Sequence, residues 1–287
     1  MSNKQNVAGN KPHLRDERDT HVAREARDPH IARNPHTEYN FRDPYTSHDT
    51  GTKRGKLYMI PCPIGEGEVY DVLPACNREI MGSLNYFIVE NVRSARRFLS
   101  KAAVGRTIDS LQFVECNEHT SPQEISAMVE PLRRGESAGF ISEAGVPGVA
   151  DPGAEVAALC HAEGIEVIPL VGPSSILLAL MASGQNGQSF AFKGYLPVKP
   201  PERNKKISAL ERKALAEGES QIFIETPYRN VTLFKQLITQ LDARTRLTVA
   251  CDLTGEHQFI RTLPVCVWRS VPEPDIHKRP TIFIIGR

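Results

Sequence analysis

Residues 138–175 read AGFISEAGVPGVADPGAEVAALCHAEGIEVIPLVGPSS, two short apolar runs with a loop and a helical pattern between them. Ala138–Ser142 is a short apolar run, Gly153–Glu163 carries apolar residues at helical spacing, and Glu166–Leu170 is a second short run. Between the first run and the helix lies Ser142–Gly153, rich in glycine and proline. Such a loop is rigid, and its backbone can approach a ligand closely. Working outward, further short runs stand at Leu57–Pro61, Tyr86–Glu90 and Gln112–Glu115, and a helix is predicted after each. The clearest starts at Thr120-Ser121-Pro122-Gln123-Glu124, where a hydroxyl cap precedes proline and Glu sits three residues on. Strands and helices alternating at this density predict a parallel sheet covered on both faces.

Beyond Gly172 the pattern changes. Ser174–Ser183, Pro201–Glu217 and Asn230–Leu241 read as helices, and Phe190–Tyr195, Ser220–Thr226 and Leu247–Leu253 as strands. Gln258–Arg261, Val265–Arg269 and Thr281–Ile285 follow as short runs without long helices between them, which predicts antiparallel pairing and a mixed sheet. The expected fold class is therefore α/β, with two α/β domains, residues 56–172 and 173–287, and an interdomain cleft as the natural place for a ligand.

Composition narrows the function classes. The 287 residues carry a formal net charge of +1 and no run long and apolar enough to span a bilayer, and the first residues lack a signal-peptide core. The expectation is a cytoplasmic protein without a membrane partner. Six scattered cysteines at 62, 76, 116, 160, 251 and 266 include no CxxC pair, so they read as buried reduced thiols, with no metal site. Residues 1–55 are a different material, holding ten Lys and Arg, eight Asp and Glu, and five of the nine histidines. With few apolar side chains to offset its ordering entropy, this charged leader is expected to be disordered. Within it Arg27-Asp28-Pro29-His30, Arg33-Asn34-Pro35-His36 and Arg42-Asp43-Pro44-Tyr45 repeat one phrase. The remainder has 25 Lys and Arg against 26 Asp and Glu, not the overall charge of a body that grips nucleic acid through phosphates.

In open α/β sheets, ligands bind outside the carboxyl ends of strands. Four loops fall there: Pro61–Gly67, Glu90–Arg93, Ser142–Gly153 and Pro169–Ser175. No GxxxxGK[ST] occurs, and no GxGxxG follows the first strand, which argues against nucleotide hydrolysis and Rossmann-type dinucleotide binding.

The phrases LYMIPCPIGEGE, YFIVENVRSARRFL, ISEAGVPGVADPG, VIPLVGPSSILLALMASG, FAFKGYLP and IFIETPYRN occur in this order over about residues 57–260. Together they resemble the tetrapyrrole methylase family, in particular its branch of ribosomal RNA small subunit methyltransferase I. The resemblance implies a homodimeric α/β methyltransferase with S-adenosylmethionine in the cleft and ribosomal RNA or the small ribosomal subunit as partner. By match of motif, Pro63 borders the cofactor, and Ala144, Gly145, Val146 and Val149 line it through backbone groups. Ser174 and Ser175 then lie beside the adenine or ribose, and Glu225, Thr226 and Pro227 close the other side.

For a hydroxyl acceptor such as a ribose 2′-OH, a base is needed. The candidates are Glu90 and, one turn on, Arg93; the plainer alternative is an ion pair between them that caps a helix. The branch carries Glu-Asp-Thr-Arg where this chain has Glu90-Asn91-Val92-Arg93, and Glu143 stands where it carries Asp. Lys199, Arg203, Lys205 and Lys206 form a local basic segment for RNA or a solvated helix face, and Tyr228 and Arg229 either contact substrate or cap a helix. A tetrapyrrole-like or other small acceptor, and a non-catalytic cofactor-binding module, remain as alternatives.

Overall fold

The computed structural model describes residues 53–287. The leader and its repeated phrase therefore lie outside the described residues, save for its last three positions. Of these, Gly55 is buried and its N–H donates to the Leu132 carbonyl at 2.8 Å, so it belongs to the folded body rather than to the leader.

The first sheet consists of β1 (Lys56–Ile60), β2 (Tyr86–Val89), β3 (Gln112–Glu115), β4 (Ala138–Ile141) and β5 (Glu166–Pro169). Its order is β3-β2-β4-β1-β5, and every pair is parallel. The strands β2 and β4 are buried along their whole length, as apolar runs covered on both faces must be. Helices α1 (Cys76–Ser83) and α2 (Val92–Lys101) cover one face, where Met81, Phe98 and Leu99 meet Ile60, Phe87 and Val89. The opposite face carries α3 (Pro122–Arg133) and α4 (Gly153–Ala162), with Ile125, Val129, Leu132 and Val156 against Leu57, Ile88 and Phe140. The α3 cap forms as predicted: Ser121 and Glu124 exchange hydrogen bonds in a capping box, with Pro122 at the first position.

The second sheet holds β6 (Phe190–Tyr195), β7 (Ser220–Ile224), β8 (Arg246–Cys251), β9 (Phe259–Pro264) and β10 (Thr281–Gly286), in the order β6-β7-β10-β8-β9. Only β6 and β7 run parallel, so the sheet is mixed as expected. Strand alternation sends Ile282 and Ile284 to one face, where α5 (Ser175–Ser183) packs through Ala179 and Leu180. Phe283 and Ile285 point the other way, into a core closed by α6 (Pro200–Glu217) and α7 (Asn230–Gln240).

Val265–Arg269, predicted as a strand, is the short helix α8 (Val265–Trp268) instead. The helical turn buries Trp268, whose Nε1–H donates to the Leu247 carbonyl at 2.8 Å. Four cysteines are buried as expected, but Cys76 and Cys266 are exposed; all six are free thiols. Burial pushes the Cys62 thiol up to about 12, which leaves it inert at neutral pH. Among the described residues, no helix is long and apolar enough to cross a membrane.

Candidate functional site

The strand order fixes which loops meet. β1 lies between β4 and β5, so the loops after these three strands share one corner of the sheet. The first two are stitched together: Cys62 N–H donates to the Gly145 carbonyl at 2.8 Å and Gly145 N–H returns to the Cys62 carbonyl at 3.1 Å. Gly145 adopts φ +72°, a left-handed conformation that side chains resist, and this turns the loop into the bridge. Farther along, the Asp151 carboxylate accepts from the N–H groups of Gly148 and Gly153, at 2.8 and 2.7 Å. The loop is thereby fixed from both ends.

After β5 the chain passes Gly172 and enters α5, whose N-cap Ser174 accepts from the Leu177 N–H. Because α5 packs on the second sheet, its first turn faces the corner made by the first. Between them lies a cavity of about 380 Å³. Of the residues expected to hold the cofactor, Ala144, Gly145, Val146, Val149, Ser174, Ser175, Glu225 and Pro227 form its wall. Two do not. Pro63 faces a smaller cavity of about 220 Å³ beside Ser94 and Arg97, and Ile64 takes its place. Thr226 is absent from the wall, its N–H donating to Glu225 Oε1 at 2.6 Å.

Glu225 contributes in an unexpected way. Its side chain is fully shielded and is held by Arg229 at 2.5 Å, so what reaches the cavity is main chain. Arg229, read as a substrate contact or a helix cap, is thus committed to an ion pair within its own turn. Sequence reasoning missed Tyr195, Ile176, Ile224, Ala250, Leu253, Thr281 and Ile282 on the same wall. Most are apolar strand ends, which nothing in a sequence separates from core.

Across the Glu143–Asp151 loop lies a second, acidic cavity of about 680 Å³, walled by Glu90, Glu118, Glu143, Asp151 and Glu155. Glu90 Oε2 accepts from the Glu143 N–H at 3.0 Å, next to Ala144 on the wall of the first cavity. Burial chiefly raises the Glu90 carboxyl above its ordinary range; the Glu143 amide opposes this, and the charges of Asp151 and Glu143 add to it. The Glu90–Arg93 ion pair, the plainer alternative, is not formed. Arg93 is exposed, pairs with none of the described residues and walls neither of the two cavities. The helix is capped by Asn91, whose Oδ1 accepts from the Ser94 N–H at 3.0 Å. Asn caps as well as Asp, so exchanging the acid at 91 costs α2 nothing.

The basic segment divides. Lys199, Lys205 and Lys206 are exposed, whereas Arg203 is buried, its Nε–H donating to Gln236 Oε1 at 2.6 Å. It clamps α6 to α7 and leaves the RNA-facing set. Tyr228 is exposed, with the Lys278 ammonium over its ring. Among the described residues no group of His, Cys, Asp and Glu is arranged to hold a metal ion.

The larger features fit the cofactor that the resemblance implies. A mainly apolar cavity of this size with converging main-chain groups and two hydroxyls suits a nucleoside. The first turn of α5 adds N–H groups that have no intrahelical acceptor.

Residues 82–265 match the family described as Tetrapyrrole (Corrin/Porphyrin) Methylases. A ribosomal RNA small subunit methyltransferase I from Vibrio cholerae is 27% identical over 232 residues, which is 80% of this chain and 76% of that protein. The protein of that name from Synechocystis is 31% identical over 204 residues, covering 71% and 69%. Among solved structures, the methyltransferase CobJ matches with a TM-score of 0.53 at 16% identity, over 81% of this chain and 94% of that one, a likeness of fold. The chain belongs to the tetrapyrrole methylase family and is an S-adenosylmethionine-dependent methyltransferase.

Proposed function

We propose that this enzyme methylates a ribose 2′-hydroxyl of small-subunit ribosomal RNA in the cytoplasm. The observation that carries the reading is the single loop, Glu143–Asp151, that walls a nucleoside-sized cavity on one side and a carboxylate-lined one on the other. The names of the relatives support the choice of RNA. When bound, S-adenosylmethionine supplies a methyl group already activated on a sulfonium. Ala144, Gly145 and Val146 hold it through main chain, Ser174 and Ser175 through hydroxyls, and Pro227 and the Glu225 main chain close the far wall. Glu90 takes the proton of the acceptor hydroxyl. The carboxylates around it repel phosphates, so the RNA backbone is met outside, at Lys199, Lys205 and Lys206. Residues 56–172 and 173–287 act as the two domains of the cleft, a division supported by the packing of α5 on the second sheet.

The test is transfer of a labelled methyl to small ribosomal subunits assembled with unmodified RNA, with total protein and small-molecule extract as controls. The wild type should label the RNA alone. Lys205→Glu combined with Lys206→Glu should lower kcat/KM for subunits about tenfold or more, since each lost phosphate contact weakens binding, and leave the affinity for S-adenosylhomocysteine unchanged. Label in protein or in small molecules, with none in RNA, would reject the reading.

The enzyme works as a homodimer. Helix α5, SILLALMAS, has no charged residue, and a helix apolar all round calls for cover all round. Its own sheet covers one side, yet Leu177 and Met181 on the other are exposed, beside Val171 and Phe190. A second copy covers this face, which adjoins the cofactor cavity at Ser174. Met181→Asp should convert the dimer to a monomer in light scattering at micromolar protein. A wild type that is already monomeric there refutes the dimer.

A further inference from the structure

We infer that Tyr195 is a stacking platform for the acceptor nucleobase, aimed at the mouth of the cofactor cavity by a bulge in β6. The inference rests on the RNA reading above and deepens it.

The bulge is visible in the strand register. Phe192 pairs with Ile222 and Tyr195 with Ile224, so β6 spends one residue more than β7 over the same step. Gly194 within it has φ +62°, and nothing lies near where a Cβ would be, so glycine is required there by conformation and not by space. The extra residue changes which face Tyr195 occupies. In a regular strand, residues three apart point to opposite faces, which would send Tyr195 away from Phe192 and toward the α6–α7 side. With the bulge, Tyr195 shares the face of Phe192, Ile222 and Ile224, which is the face of α5 and of the cavity.

The ring so delivered stays 60% exposed while it walls the cavity. A ring serving only to seal the cofactor would be sunk among the apolar wall residues; this one stands at the opening, where an acceptor must pass. A second ring, Tyr228, is 71% exposed next to the wall residue Pro227, with the Lys278 ammonium 5.6 Å from its centroid. Exposed aromatic faces beside cations are what an unpaired base and its phosphate require, and single-stranded RNA is bound largely by such stacking. Lys199, four residues past Tyr195 and exposed, adds another cation at this end of the sheet.

Three quantities test this: Kd for a fluorescent single-stranded RNA oligonucleotide by anisotropy, KM for unmodified small subunits, and Kd for S-adenosylhomocysteine by calorimetry. Tyr195→Ala should raise the first two by roughly 10- to 100-fold, the range of one lost base–aromatic stack, and the third by a clearly smaller factor, because the ring meets the cofactor cavity only at its mouth. Tyr195→Phe, which keeps the ring, should restore RNA binding to near wild type, and unchanged thermal unfolding of both variants checks the fold. Unchanged RNA binding in Tyr195→Ala overturns the inference and leaves the RNA reading standing. A loss of S-adenosylhomocysteine affinity in step with the RNA loss also overturns it, and would place the ring on the cofactor. A wild type that neither binds the oligonucleotide nor methylates subunits overturns both.

Discussion

Gly172→Ala should lower the affinity for S-adenosylhomocysteine by about 100-fold and the unfolding free energy by about 2–3 kcal/mol. A Cβ at 172 would sit 2.4 Å from both Cβ and Cγ of Pro61 and 2.9 Å from Leu73 Cδ2. A proline ring cannot swing aside, so the backbone must move. That backbone is pinned just before the glycine: Leu170 N–H donates to the Met59 carbonyl at 2.9 Å, and the buried Asn77 holds the Val171 carbonyl at 2.9 Å. The displacement therefore passes forward into Ser174 and the first turn of α5, which wall the cavity proposed for the cofactor. An error of about 1 Å in a positioning element can cost a hundredfold. Gly187→Ala is the matched control, because nothing lies within 4 Å of its added carbon. Calorimetric titration and urea unfolding of the two variants check the pair. Equal behaviour of Gly172→Ala and wild type would mean that the two loops are not in contact in solution.

The sequence made the parallel half of the fold legible because its strands are short apolar runs flanked by helices with plain caps, such as Ser121-Pro122-Gln123-Glu124. The second sheet was legible as strands, but not in where it ended. Val265–Arg269 looks like a strand in composition, and only the seat for Trp268 beneath Leu247 makes it helical. The wall of the 380 Å³ cavity was met where the family resemblance carries motifs, at Ala144–Val146 and Ser174–Ser175. It was unreadable at Ile224, Ala250 and Ile282, where an apolar strand end serves cavity and core alike. Charge misled most. Arg203 and Arg229 have the residue type of a substrate contact, yet one clamps two helices and the other holds a buried carboxylate. A guanidinium meets any planar acceptor equally well, and its partner is set by packing that sequence spacing does not encode.

Glu90→Gln should reduce kcat for methyl transfer by about 10²- to 10⁴-fold, the usual worth of a positioned base. Gln keeps an oxygen to accept from the Glu143 N–H, so the loop beside Ala144 should hold its place and S-adenosylhomocysteine should bind as before. Two further readouts separate a base from a structural carboxylate. The first is the pH profile. Burial raises the Glu90 carboxyl, so the wild-type rate should climb through a midpoint above the ordinary carboxylate value of about 4.3, and that limb should vanish in the variant. The second is stability. Because the folded state favours the protonated form, ionising Glu90 opposes folding. Its favourable contribution is whole below the unfolded carboxylate value and is lost as pH rises through the folded one. At pH 7 the variant, which cannot ionise, should therefore melt higher than wild type, and the gap should close toward pH 4. Activity lost while stability is gained is the signature of a group kept for chemistry against its folding cost. A variant that melts lower at pH 7 and retains its kcat would make Glu90 a brace for the Glu143 loop, and the base would have to be sought among the other carboxylates of the acidic cavity.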